Sequence, residues 1–144
     1  IDYNLNQRFI VQRFIMKNAI SLTLAHNQKQ TNHFNLERIN KYLGNDELAI
    51  KEILLVVISE IKLSSNKIEN CIYTQNIDQI QYLAHNLYGT CATIGLEELS
   101  KIARLIEQET QFNHDVLTPL IKKLKSEIVF VSELMNSYIY KTTF

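Results

Sequence analysis

His85 is the residue of this chain best placed to do chemistry, and Gly89, one helical turn further on, is the reason to single it out. An imidazole is a nucleophile at Nε2 when Nδ1 holds the proton. Glycine in the middle of a helix costs about 1 kcal/mol relative to alanine, so a partner is expected to come very close to the backbone beside His85. At about 100° per residue, Ile80, Leu83, Ala84, Leu87 and Cys91 share a narrow sector that sets the core direction. His85 falls roughly 150° from that sector, facing solvent or a partner. Gln81, Tyr82, Gly89 and Ala92 flank it, and Tyr88 lies towards the boundary of the core sector. An exposed helical histidine is as a rule an ordinary surface residue; the small neighbours Gly89 and Ala92 are what argue for more.

A second helix supplies a partner for the ring. Leu99, Ile102, Ala103 and Ile106 form its core stripe, with Glu107 at the edge. In a hairpin bending near Gly95, His85 and Glu107 stand about 10 and 12 residues from the bend, at similar heights. A carboxylate accepting from Nδ1–H would orient the ring and leave Nε2 free; the plain alternative is a solvated glutamate. Lys101 and Arg104 fall on the exposed side of that helix, near a docking phosphate or as ordinary surface cations.

The elements that must position these groups are helices. Asn45, followed by Asp46 and Glu47, resembles a capped helix start. Ile50, Ile53, Leu54, Val57, Ile58 and Ile61 then follow the i, i+3, i+4, i+7 rule, and Ile68 and Ile72 extend the run to about residue 73. A second helix is predicted over about 77–93, with Gly95 as its left-handed C-terminal cap, and a third over about 96–110. Thr118-Pro119 reads as N-cap and first-turn proline of the last helix, with a start one turn earlier left open. Leu120, Leu124, Ile128, Val131, Met135 and Tyr138 carry its stripe. Four such helices on short links fold as an antiparallel up-and-down bundle, with a short helix over 36–42, ended by Gly44, capping one end. The expected fold is therefore all-α: a four-helix bundle (residues 34–144), the capping helix, and an additional N-terminal helix and linker (residues 1–33).

That N-terminal stretch differs. Leu5, Phe9, Ile10, Val11, Phe14, Ile15, Met16 and Ile20 point nearly all round a helix, which calls for contacts on more than one face. It is an extra helix folded back on the bundle, a self-association element or a connector to a preceding domain. Residues 27–32 are polar and read as the linker.

Composition narrows the function classes. With 15 basic and 15 acidic residues, no global charge favours nucleic acid or an anionic membrane. Three glycines and one proline disfavour a many-turned β fold. Cys71 and Cys91 make neither a disulfide scaffold nor a zinc site and are expected as buried thiols in a reducing compartment. His26, His33, His85 and His114 do not share a metal-ligand spacing, so no metal site is expected. A kinase activity is not expected either, because there is no glycine-rich nucleotide loop. The most apolar stretch, residues 9–24, carries Gln12, Arg13, Lys17 and Asn18, which disqualifies it as a membrane span or signal peptide. A chain opening on Ile1 is expected to be part of a longer protein, and a cytoplasmic location is expected.

Residues 34–140 resemble a histidine-containing phosphotransfer (HPt) domain of bacterial phosphorelays. The family pattern is Ala-His-x-Leu-Lys-Gly, then five residues and a glycine; here stand Ala84-His85-Asn86-Leu87-Tyr88-Gly89, Thr90 to Ile94 and Gly95. Phe34-Asn35-Leu36 and Leu43-Gly44-Asn45-Asp46 resemble the family's lead-in. The resemblance implies a phosphocarrier rather than an enzyme. His85 would accept a phosphoryl group from the aspartate of a response-regulator receiver domain and pass it on. Glu107 would orient the ring, Gly89 would admit the receiver, and the receiver would bring Mg²⁺, with no cofactor in this domain. It also implies a place as the C-terminal module of a hybrid sensor histidine kinase. The chain departs from the pattern at Tyr88, where the family has a lysine that helps neutralise the phosphoryl group. Either Lys101 or Arg104 compensates, or transfer is slow, or the domain has become a receiver-docking or oligomerisation module.

Overall fold

A computed structural model describes residues 32–141, and the predicted N-terminal helix, with any self-association through it, falls in residues outside the described ones. The described residues form five helices and no strand: α1 (Leu36–Leu43), α2 (Glu47–Thr74), α3 (Ile77–Ile94), α4 (Glu97–Glu107) and α5 (His114–Lys141). The long helices pack in a ring, α2 against α3 and α5, and α4 against α3 and α5, with α1 on the ends of α2 and α3. This is the expected up-and-down bundle. Ile50, Leu54, Ile61 and Ile68 of α2 meet Ile80, Ala84, Leu87 and Cys91 of α3 in its core. Leu99, Ile102 and Ile106 of α4 and Leu117, Leu124, Ile128, Val131 and Met135 of α5 complete it. No helix among the described residues is long and apolar enough to cross a membrane.

The helix ends follow local chemistry, with corrections to the expected boundaries. The N-cap of α2 is Asp46 rather than Asn45, its side chain accepting from the Ala49 N–H at 3.2 Å. Gln75 closes α2 in the left-handed region (φ 53°), and Asn76 caps α3 by accepting from the Gln79 N–H at 3.1 Å. α4 begins at Glu97 and stops at Glu107, short of residue 110. α5 starts at His114, so Pro119 lies inside it rather than in its first turn. Asn113 takes over the capping: its Oδ1 accepts from the Asp115 N–H at 3.1 Å and its carbonyl from the Leu117 N–H at 2.9 Å. The N–H that Pro119 lacks would have gone to the carbonyl of Asp115, an exposed residue where water can replace it. Cys71 is only half-buried, whereas burial pushes the Cys91 thiol up to about 12.

Two clamps hold the α3–α4 hairpin. At its bend, Gly95 (φ 84°) caps α3, and a Cβ there would stand 2.9 Å from the Asn35 carbonyl oxygen and 3.0 Å from Asn35 Cβ. The Asn35 N–H donates to the Gly95 carbonyl at 3.1 Å. Arg38 of α1 adds Nη1 to the Ala92 carbonyl at 3.1 Å and Nη2 3.7 Å from Glu97 Oε1. Glycine is thus required at residue 95 for both its φ and the close approach of the chain leading into α1. That lead-in is itself anchored on α5, with His33 Nδ1 2.6 Å from Glu127 Oε2 and the ring edge-on to Phe130. At the far end of the hairpin, the Gln81 amide donates to the carbonyls of Glu107 and Glu109 at 3.3 and 2.8 Å. Beyond the end of α4 these carbonyls have no helical partner, and the Gln81 amide satisfies them.

Candidate functional site

His85 and Glu107 meet as the hairpin geometry predicts. His85 Nδ1 lies 2.7 Å from Glu107 Oε1, with the imidazole side chain 65% exposed and the carboxylate side chain 23% exposed. A carboxylate only accepts, so the hydrogen-bond partner assigns the proton to Nδ1 and leaves the lone pair on Nε2. Glu107 is the last residue of α4. There the helix dipole disfavours negative charge and the final carbonyls lack helical partners. The donors that offset this come from one face of α3: His85 to the carboxylate and, one turn earlier, Gln81 to the backbone. Glu107 Oε2 is buried and finds no donor among the described residues. The carboxylate therefore depends on the ring it orients, and a positive charge developing on that ring would be stabilised by it.

Around this pair the expected site residues divide by side. With His85 as the reference, Gln81 and Tyr88 lean towards α4, while Tyr82 and Gly89 lean the other way at about 60° and 40°. Gln81 was expected on a docking face, but its amide is committed to the end of α4. Tyr82 is exposed, and a Cβ added to Gly89 would meet nothing within 4 Å. Among the described residues no neighbour requires glycine at residue 89, so the backbone there is open to solvent. Ala92 is half-buried and contributes its carbonyl to Arg38. Lys101 stands out from α4 with Nζ 4.0 Å from Glu98 Oε2. Arg104 folds back instead, its guanidinium carbon 4.9 Å from the centroid of the half-buried Tyr88 ring.

Sequence reasoning missed the supports. Arg38, which holds the bend with Asn35, carries no motif, and the lead-in containing Asn35 and the face containing Gln81 do not show that either residue is a support. Their only signal is a polar side chain level with a helix terminus that needs hydrogen-bond partners. Among the described residues no group of three or more His, Cys, Asp or Glu is placed to hold a metal ion. What remains is an outward imidazole, singly oriented, with open backbone on one side and a cation on the other. Such a site can act as a nucleophile towards a group presented by a second protein.

Comparison with known families agrees with this geometry. A family model described as the Hpt domain matches residues 52–128, just over half of the chain, a span that includes His85, Gly89, Gly95, Arg104 and Glu107. No curated protein and no solved structure matches.

Proposed function

This chain belongs to the Hpt domain family, whose members carry phosphoryl groups on histidine in phosphorelays and interact with response-regulator receiver domains, and on that premise we propose that His85 is its phosphoacceptor. The observation that supports this most is the 2.7 Å contact of His85 Nδ1 with Glu107 on an otherwise exposed ring. In the forward step the Nε2 lone pair forms a bond to the phosphorus of a receiver's aspartyl phosphate. The bond from phosphorus to the aspartate oxygen breaks, and its electron pair stays with the aspartate as carboxylate. Nδ1 keeps its proton, so the ring becomes cationic opposite the Glu107 carboxylate. Return to a second receiver reverses these bonds. Positioning supplies most of what this domain contributes, while charge stabilisation at the donor carboxylate falls to the receiver and its Mg²⁺. We read the chain as a carrier module without turnover of its own, fitted to a longer protein such as a hybrid sensor histidine kinase.

The test is incubation of the chain with a phosphorylated receiver. The parent is expected to acquire an acid-labile phosphate and His85→Gln to acquire none; equal uptake by the two would sink the assignment. Tyr88, in place of the family's lysine, favours one second reading, a receiver-docking module without transfer. In that case the parent binds receivers but takes no phosphate, and Tyr88→Lys restores uptake.

A further inference from the structure

The cation that this site lacks at Tyr88 has a source on the neighbouring helix. Between Ile77 and Ile94, α3 carries no lysine or arginine, so a positive charge from this hairpin must come from Lys101 or Arg104 of α4. The two are not equivalent. Measured around α4 from Glu107, Arg104 is displaced by roughly 60° and one turn, Lys101 by roughly 120° and two turns. Lys101 pairs with Glu98. Arg104 makes no ion pair among the described residues and lies over the Tyr88 ring, one rung of the hairpin from the His85–Glu107 pair.

We infer that Arg104, laid on the ring of Tyr88, is the phosphoryl-binding cation of this site. The inference rests on His85 being the phosphoacceptor. A guanidinium stacks through its face and hydrogen-bonds through its edge. It can therefore keep its contact with Tyr88 while its N–H groups point at two oxygens of a phosphoryl group on Nε2. An ammonium has no such division of labour, because its contact with the ring and its hydrogen bonds compete for the same three donors. Tyr88 is then a shelf that holds the arginine in place, and the lysine of the family pattern and the Tyr88–Arg104 pair are two ways of placing one positive charge.

The test needs no cognate receiver. The full chain is treated with phosphoramidate, and phosphohistidine is followed by ³¹P NMR. The His85 Nε2 lone pair forms the N–P bond, the bond from phosphorus to the donor nitrogen breaks, and ammonia leaves with that electron pair. Arg104→Ala is expected to slow uptake roughly tenfold or more, less than the loss of about 10²–10³ for removal of a fully enclosed charge-stabilising donor, because this site is open to solvent. It is also expected to raise the pH at which the phosphoryl group of phosphohistidine titrates, a shift that a merely structural role would not produce. Lys101→Ala should change neither. Arg104→Lys should recover part of the rate, and Tyr88→Lys should restore uptake in the Arg104→Ala background. Unchanged uptake and an unchanged ³¹P titration in Arg104→Ala would overturn the inference while leaving His85 as acceptor. A parent chain that takes no phosphate at residue 85 would overturn both.

Discussion

Gly89→Ala separates what this site costs the fold from what it offers a partner. The added methyl meets nothing within 4 Å, and Gly89 lies in mid-helix without a positive φ. Replacing an unstrained mid-helix glycine by alanine returns about 0.5–1 kcal/mol of helix propensity. For a chain of this length that is a rise in melting temperature of about 2–4 °C. Docking should move the opposite way. If a receiver packs on the bare backbone beside His85, the methyl overpacks the joint face by about 1–3 kcal/mol, a loss of about 5- to 150-fold in the rate of transfer from the receiver. Phosphoramidate is small enough to avoid the methyl, so its uptake should stay as in the parent. Circular dichroism melting and the two uptake assays on one preparation read all three quantities. A more stable variant with receiver transfer within about twofold of the parent would refute the docking role argued for Gly89. A less stable variant would refute its placement in open helix.

Gly95→Ala should do the reverse of Gly89→Ala: a left-handed alanine costs about 1–2 kcal/mol, and contact with the Asn35 backbone adds to it, so urea unfolding should show a loss of about 2–4 kcal/mol. A loss below about 0.5 kcal/mol, ordinary for a surface substitution, would contradict the close approach seen at the bend. Burial pushes the Glu127 carboxyl above its usual range, and the Glu98 charge adds to this, while the hydrogen bond and charge of His33 and the charge of Lys123 pull it down. The folded chain thus holds this proton more tightly than the unfolded one, so stability falls as pH rises from the ordinary glutamate value through the folded one and levels off above it. Unfolding of Glu127→Gln between about pH 4 and pH 6 should therefore show the variant gaining on the parent as pH rises; a constant difference would contradict the shift.

The fold and the central pair were legible because both follow from local rules. Apolar spacing of three and four residues sets which face of each helix is buried, and that alone turns His85 outward. The short link at Gly95 forces α3 and α4 to run antiparallel, which puts Glu107 level with the ring. The boundaries at Asn45 and residue 110 differ from expectation, and of the two starts left open for the last helix the earlier one holds. Asp46 caps in place of its neighbour Asn45, Asn113 caps one turn before Thr118, and the carbonyls at the end of α4 find Gln81, a residue on another helix. Gln81 has a structural role that its place on the docking face does not announce. Its place beside His85 is as expected, but its amide is occupied by orphan carbonyls that only the packed hairpin brings within reach.

By itself, then, the sequence determined the helices, the outward histidine and the level of its carboxylate partner, since each follows from steps of about 100° and short links. It assigned Gly95 to a helix cap and Gly89 to a partner's approach, but did not show what either glycine packs against. Only the tertiary structure shows that Gly95 is pressed against Asn35 while Gly89 faces open space. Nor could it choose between Lys101 and Arg104, because a long side chain goes where the neighbouring helix offers it a surface. Here that surface is the Tyr88 ring, 4.9 Å from the guanidinium carbon, and which side chains share a rung is a property of two helices packed together.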